Sequence, residues 1–310
     1  MAKTTQSIVT VGTFDGIHLG HRAILQRVGA LGRAMGMPTA VVTFANHPLS
    51  VIAPERAPLW AAERAQSLQT LAQTVDSLDV IDFDADTASM TAREFFALLR
   101  RRHNAHTVVM GYDNTFGSDR LKSHADYSRE AALEGMEVDF VDAVAVEPYG
   151  TASSSLLRQA IAQGRMDMAA ALTGHAPAYR CRVVEGRHLG RTIGFPTMNL
   201  TMPRQVAVPP AGVYAATCIP HDADAPLPAV MSIGSNPTIG NGDISYELHL
   251  IDGNPGPMYG KEVRLTINHR LRDIKKFPDI DTLRQAIGAD VDHARQYFIN
   301  HQQALHPSHD

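Results

Sequence analysis

Cysteine is scarce in this chain: two residues in 310, Cys181 and Cys218. A pair of thiols gives neither a disulfide framework nor a zinc-binding spacing, so both read as core or barrel fillers in a reducing compartment. Positive charge is not in excess either. Lys and Arg total 28 against 32 Asp and Glu, a formal net charge of −4. Without a basic block no nucleic-acid partner is expected, because holding a phosphate backbone takes a basic face. Small phosphorylated ligands still fit, since a local nest of N–H groups needs no global charge. No apolar run reaches the ~20 residues needed to cross a bilayer, so no membrane partner is expected. The first strand-like run begins within about ten residues of Met1, too early for a secretory signal, and a cytoplasmic location is the expectation. Hydrophobic residues make up 44% of the chain, ordinary for a globular protein of two domains at this length.

The first half alternates strand and helix patterns. Ile8–Val11, Thr39–Phe44, Val80–Phe83, Thr107–Met110 and Val138–Val141 read as short strands. Apolar residues at helical spacing run from about His21 to Met35, and Ala61–Thr74 and Thr91–Arg101 read as further helices. This alternation predicts a parallel sheet with helices on both faces, with ligands beyond the carboxyl ends of the strands. Helical stretches follow at Ser154–Ala162 and Met166–Leu172. Near residue 175 the pattern changes. Short strands at Arg182–Val184, Val213–Cys218, Ala229–Ile233, Tyr246–Ile251 and Glu262–Ile267, punctuated by Gly and Pro, predict a small antiparallel barrel. An amphipathic helix at about Ile280–Phe298 closes it.

The most informative stretch follows the first strand: Gly12-Thr13-Phe14-Asp15-Gly16-Ile17-His18-Leu19-Gly20-His21. A glycine-punctuated turn between a strand and a helix aims backbone N–H groups at a phosphate. His18 and His21, at i and i+3, can donate to a triphosphate and stabilise charge that builds up in a transition state. Such a turn alone is common, and such a pair is also an ordinary helix start or half of a metal site. No glutamate stands between the histidines as in a zinc protease. Three other segments fit the same crevice: His47-Pro48 after the second strand, Gly111–Gly117 with Asp113 and Asn114, and Ser153-Ser154-Ser155 with Arg158 at a helix start. Taken singly, each is more often a plain loop or an N-cap. Arg158 could pair with a departing pyrophosphate.

These segments, in this order, resemble the motifs of bacterial FAD synthetases within the nucleotidyltransferase superfamily. Asn46 stands where that family has proline, Ser155 where it has threonine, Leu157 where it has isoleucine, and Asn114 where an aromatic residue is common. The resemblance implies nucleotide-binding roles for Gly12, Phe14, Asp15, Gly16, Gly20, His47, Asp113, Asn114, Ser153, Ser154 and Ser155. It implies catalytic roles for His18, His21 and Arg158, and a flavin contact at Phe116.

The second strong signal runs from Gly186 to Asn199. Gly186, Gly190 and Gly194 permit close approach to phosphate, and Thr197 and Asn199 offer neutral oxygen ligands to Mg²⁺, a hard cation. Glu247 and His249 alternate to one face of a half-buried strand. A carboxylate facing a phosphate site can take the proton of an attacking hydroxyl, although Glu247 alone reads as an exposed strand residue. This half resembles riboflavin kinases, with Gly234-Ser235-Asn236-Pro237-Thr238, Tyr259-Gly260-Lys261 and Leu271-Arg272-Asp273 falling in the family's order. Met198 replaces alanine, and Cys181 stands where glycine is frequent. The resemblance implies that Gly186, Gly190, Arg191 and Gly194 hold nucleotide, Thr197 and Asn199 hold Mg²⁺, Glu247 is the general base, and Arg272 touches the flavin. It implies an α/β chain with a Rossmann-like nucleotidyltransferase domain at residues 1–175, then a riboflavin kinase barrel at 176–310. The substrates implied are riboflavin, FMN and ATP, and the chain is expected to be a monomer or a transient homo-oligomer. The rival readings are a single active half, a flavin-binding regulator without turnover, and, from the first domain alone, a cytidylyltransferase acting on an unrelated phosphate, which the kinase-like second half argues against.

Overall fold

The structure is a computed structural model and describes residues 5–186, 190, 193–221, 223, 225–235, 244–252 and 256–301. Two compact units emerge, Met1–Trp60 with Arg64–Ser154, and Ala61–Glu63 with Ser155–Asp310.

The first unit is built on a sheet of five strands: β1 (Ser7–Val11), β2 (Thr39–Phe44), β3 (Ser77–Ile81), β4 (Ala105–Gly111) and β5 (Glu137–Val141), in the order β3-β2-β1-β4-β5. Every neighbouring pair is parallel. β1 and β2 are buried along their whole length, which is why they read as continuous β-branched runs rather than alternating ones. Side chains still divide by face. Val9 and Val11 pack with Phe95, Phe96 and Leu99 of α5 (Ala92–His103) and with Tyr127 and Ala131 of α6 (His124–Leu133). Ile8, on the other face, packs with Ile24 and Val28 of α1 (Leu19–Met35). Each fully buried Val, Leu or Phe contributes about 1.5–3 kcal/mol, so this double cover fixes the sheet that carries the site.

Helix ends are set locally. Thr91 and Glu94 form a capping box before α5, and Gly36, with φ +62°, closes α1 by donating to the Gly32 carbonyl. Three shorter helices complete this unit: α2 (Leu49–Ile52), α3 (Arg64–Thr74) and α4 (Ala85–Ser89). A small hairpin, β6 (Ala145–Val146) with β7 (Gly150–Thr151), precedes α7 (Ser154–Ala162) and α8 (Met166–Thr173).

The second unit is a closed antiparallel barrel of β8 (Ala178–Val184), β9 (Met198–Thr201), β10 (Gly212–Pro220), β11 (Leu227–Ser235), β12 (Ile244–Leu250) and β13 (Glu262–Arg272). Along β8 the odd positions Tyr179, Cys181 and Val183 are buried and the arginines between them are exposed. Closure removes sheet edges and leaves a filled interior. Cys181 and Cys218 are both inside, with burial pushing each thiol up to about 12. They are inert filler, and Cys181 lies 3.5 Å from the Met202 sulfur. Helix α9 (Ile280–Asn300), capped by Asp279, lays Val291, Ala294 and Phe298 on Val213, Ala215 and Val230.

Candidate functional site

The first site is the turn that leaves β1. Phe14, Gly16 and Ile17 all have positive φ, at +48°, +77° and +38°. Two of these residues carry side chains, so the turn is strained and needs support from its surroundings. Phe14 and Ile17 supply part of it by burying themselves against Leu25, Val41 and Leu71. Asp15 is 1% exposed. The Ser154 hydroxyl donates to the Asp15 carbonyl at 2.9 Å, tying the turn to the first residue of α7.

His18 is the N-cap of α1 in extended conformation, and no side-chain hydrogen bond caps the helix. Its first N–H groups are therefore available to an anion. The His18 and His21 rings stack at 3.7 Å between centroids, with Phe14 tilted against His21 at 5.0 Å. The Nδ1 of His21 is buried without a hydrogen-bond partner. Burial first, and the neighbouring His18 second, hold the His21 pKa well below its usual 6.5. Between them the turn and the helix start bring backbone N–H groups and two imidazoles to one place. A methyl group at Gly20 would stand 3.1 Å from the His18 ring, so the glycine keeps that ring in place.

The other residues expected in this crevice divide. His47 follows the end of β2, accepts from the Leu49 N–H at 3.1 Å, and meets Trp60 edge-on at 5.4 Å. Asn46, in the family's proline position, exchanges two hydrogen bonds with the backbone of Phe83, at 2.9 and 2.8 Å. Asn114 donates to the Val11 carbonyl at 2.7 Å and so fastens the loop after β4 to the end of β1. Both asparagines use their amides to hold loop ends together. Asp113 is exposed beside Tyr112. Phe116 packs against Phe95, Phe96 and Tyr127, all within 5.0–5.2 Å, and adds to the core of the first unit. Arg158, on α7, donates to the Ser155 hydroxyl at 3.2 Å.

The second site lies where β9 passes between β8 and β12. Asn199 pairs with Val184 on one side and with Glu247 on the other. Cross-strand partners point to the same face, so the amide and the carboxylate stand together. Burial raises the Glu247 pKa above its usual 4.5. A Cβ placed on Gly186 would lie 1.7 Å from Asn199 Nδ2, and one on Gly190 would lie 2.2 Å from the Phe195 carbonyl and 3.1 Å from Thr197 Oγ1. Only glycine fits at either position. Gly194 has φ +85°. His249, on the same face of β12 as Glu247, pairs its Nδ1 with the Pro196 carbonyl at 2.8 Å and meets the Phe195 ring edge-on. The Thr197 hydroxyl and the Asn199 amide oxygen are neutral oxygen donors of the kind Mg²⁺ takes, and Glu247 stands beside Asn199 as a carboxylate left over for proton transfer. Arg191 lies outside the described residues, as do Asn236, Pro237 and Thr238. Arg272 forks onto the carboxylate of Asp290, 2.7 Å at each nitrogen, and lies 5.6 Å from the Phe277 ring centre.

A family model for FAD synthetase matches residues 1–155, and one for riboflavin kinase matches residues 173–298. The bifunctional riboflavin kinase/FMN adenylyltransferase of Escherichia coli (strain K12) is 34% identical over 94% of this chain and 92% of its own length. The chain belongs to the bifunctional riboflavin kinase/FMN adenylyltransferase family. Its relatives of that description include the proteins of Pseudomonas fluorescens, 32% identical over 93% of this chain and 92% of theirs, and Bacillus subtilis (strain 168), 29% identical over 95% and 93%. A crystal structure described as a macrolide-efflux protein from Streptococcus pneumoniae superposes with a TM-score of 0.84 at 32% identity, covering 95% of both chains. Among the described residues no helix is long and apolar enough to cross a membrane.

Sequence reasoning missed Arg64 and Trp60. Arg64 donates to the Thr13 carbonyl at 2.8 Å, to the Thr43 hydroxyl at 2.7 Å and to the Phe44 carbonyl at 2.5 Å. Neither residue falls in a glycine-rich or histidine-bearing motif, so only the fold reveals them.

Proposed function

We propose that the chain makes FMN from riboflavin and ATP in its second unit, and FAD from FMN and ATP in its first. In the second unit the ribityl 5′-hydroxyl attacks the γ-phosphorus, Glu247 accepts the hydroxyl proton, and ADP leaves. Burial raises the Glu247 pKa and so improves its match to an alcohol proton. Thr197 and Asn199 would hold Mg²⁺, which supplies charge neutralisation on the transferred phosphoryl group. Gly186, Gly190 and Gly194 let the backbone approach the triphosphate, with Arg191 assigned beside them on its motif alone.

In the first unit the FMN phosphate attacks the α-phosphorus of a second ATP, and pyrophosphate leaves. The nucleophile is already an anion, so no general base is needed and no covalent enzyme intermediate forms. The task is to neutralise charge on the five-coordinate phosphorus and the leaving group. His18 and His21 donate to the triphosphate, and the turn Gly12–Gly20 receives it at the start of α1. His47, Asp113 and Ser153–Ser155 line the nucleotide, and Asn114 acts through the loop it fastens. Arg158 meets the pyrophosphate, a role that rests on its motif. Phe116 packs in the core of the first unit and Arg272 is engaged by Asp290, so we assign both to shaping flavin walls rather than to direct reach.

The observation that carries this reading is the extent of the family relationship, 34% identity across 94% of the chain, spanning both sets of motifs. Incubating pure protein with riboflavin, ATP and Mg²⁺, then separating flavins by chromatography, tests it. FMN should appear first and FAD should follow. Absence of both overturns the reading.

A further inference from the structure

The guanidinium of Arg64 lies outside both sets of motifs, yet it touches the parts from which the first site is assembled. We propose that Arg64 is a positioning residue for adenylyl transfer: it sets the spacing between the glycine turn after β1 and the His47 loop after β2. This rests on the assignment of FAD formation to the first unit.

One nitrogen donates to the Thr13 carbonyl and the other to the Thr43 hydroxyl and the Phe44 carbonyl. Thr43 passes the contact on, donating to the Gly12 carbonyl at 2.7 Å. The turn and the end of β2 are thus joined through one planar group. Its Cζ lies over the Trp60 ring, 5.0 Å from the centre, and Trp60 in turn meets His47 edge-on at 5.4 Å. So the same side chain reaches the strained turn on one side and, through Trp60, the His47 loop on the other.

All the hydrogen-bond acceptors found for Arg64 are neutral, and its Nε is buried without one. Burial pulls its pKa down to about 10, with the buried Asp15 opposing that shift. A cation set among neutral acceptors is costly to bury, and a polyanion arriving at the adjoining turn would offset that cost. Lysine could not replace it, because one ammonium nitrogen cannot reach the three acceptors that two guanidinium nitrogens share.

Trp60 is the single tryptophan of the chain, so its emission reports on this cluster alone. The test compares wild type, Arg64→Met and Arg64→Lys in three readouts: kcat and KM for FAD formation from FMN and ATP, riboflavin phosphorylation in the same samples, and Trp60 emission with and without Mg-ATP. Arg64→Met should lower kcat/KM for FAD formation about 100-fold, mostly in kcat, the scale expected when reacting groups are misplaced by about 1 Å. Riboflavin phosphorylation should stay as in wild type, and the protein should remain folded at the assay temperature. Arg64→Lys should remain about 10-fold impaired because it restores charge without the fork. Trp60 emission should shift in both variants before nucleotide is added. For Arg64→Ala, added guanidinium ion should restore part of the lost rate. A folded Arg64→Met protein with FAD formation within about threefold of wild type overturns the inference and leaves the functional reading standing. Parallel loss of both activities with a lowered melt, and no rescue by guanidinium, also overturns it, since that marks a structural prop. A wild-type protein that makes FMN but no FAD overturns the functional reading itself, and this inference with it.

Discussion

The imidazoles of His18 and His21 stack face to face at the first turn of α1, 26° from parallel. Two rings so close cannot both carry a proton cheaply, and burial already favours the neutral form of His21. Its folded pKa lies below the unfolded value of 6.5. Between those two values the unfolded chain binds the extra proton, so this site loses stability as pH falls below about 6.5. A bound triphosphate reverses the preference, because its charge stabilises imidazolium. Mg-ATP binding to the first unit should therefore take up a proton on the acid side of the usual imidazole range. Calorimetry in two buffers of different ionisation enthalpy measures it, and His21→Ala should remove that uptake.

Glu247 titrates in the opposite sense. Burial raises its pKa, so the carboxylate needed as a base is lost as pH falls through a value above the usual 4.5. The kcat/KM profile for riboflavin phosphorylation should carry an acid limb at that raised value. Glu247→Gln should lower the rate by at least about 100-fold and abolish the limb, the range expected for losing a general base. FAD formation from supplied FMN should keep its own profile.

Gly186→Ala places a methyl group 1.7 Å from the Asn199 amide, which cannot be accommodated without moving Asn199. Riboflavin phosphorylation should fall and its Mg²⁺ requirement should shift to higher concentration, read by activity against added Mg²⁺. FAD formation from supplied FMN should be unaffected.

The fork between Arg272 and Asp290 makes a further prediction. The Asp290 side chain is only 5% exposed, and Arg272 is 22% exposed. Removing one partner of a buried pair typically costs about 3–5 kcal/mol, and the partial exposure of Arg272 points to the lower end. Asp290→Ala should lower the urea midpoint accordingly. It should also release Arg272 toward solvent and raise the KM for riboflavin, read in the phosphorylation assay.

Much of the fold was legible because its signals were strong. Thr39–Phe44 and Ser154–Ala162 fall where the residues place them, since a β-branched buried run and a clean helical period leave little ambiguity. The helix α6 was not legible. Its ten residues bury only Tyr127 and Ala131, too few to set up a period. β9 was not legible either, because four residues, Met198–Thr201, are too short to announce a strand. That strand is what sets Asn199 opposite Glu247. At the first site the histidines and glycines were visible as a motif. Arg64 and Trp60 were not, because their roles come from packing between loops that are distant in sequence. Asn114 and Asn46 read as departures from a family pattern, and the structure gives both a hydrogen-bonding task at a loop end.

The central claim is that two reactions run independently in two halves of one chain. Mixing two variants tests it most directly. Alone, His21→Ala should convert riboflavin to FMN and stop there. Alone, Glu247→Ala should leave riboflavin untouched but convert supplied FMN to FAD. Combined in one tube with riboflavin, ATP and Mg²⁺, the two should produce FAD. If either variant, melting like wild type, loses both steps, or if the mixture makes no FAD, the division of labour is contradicted.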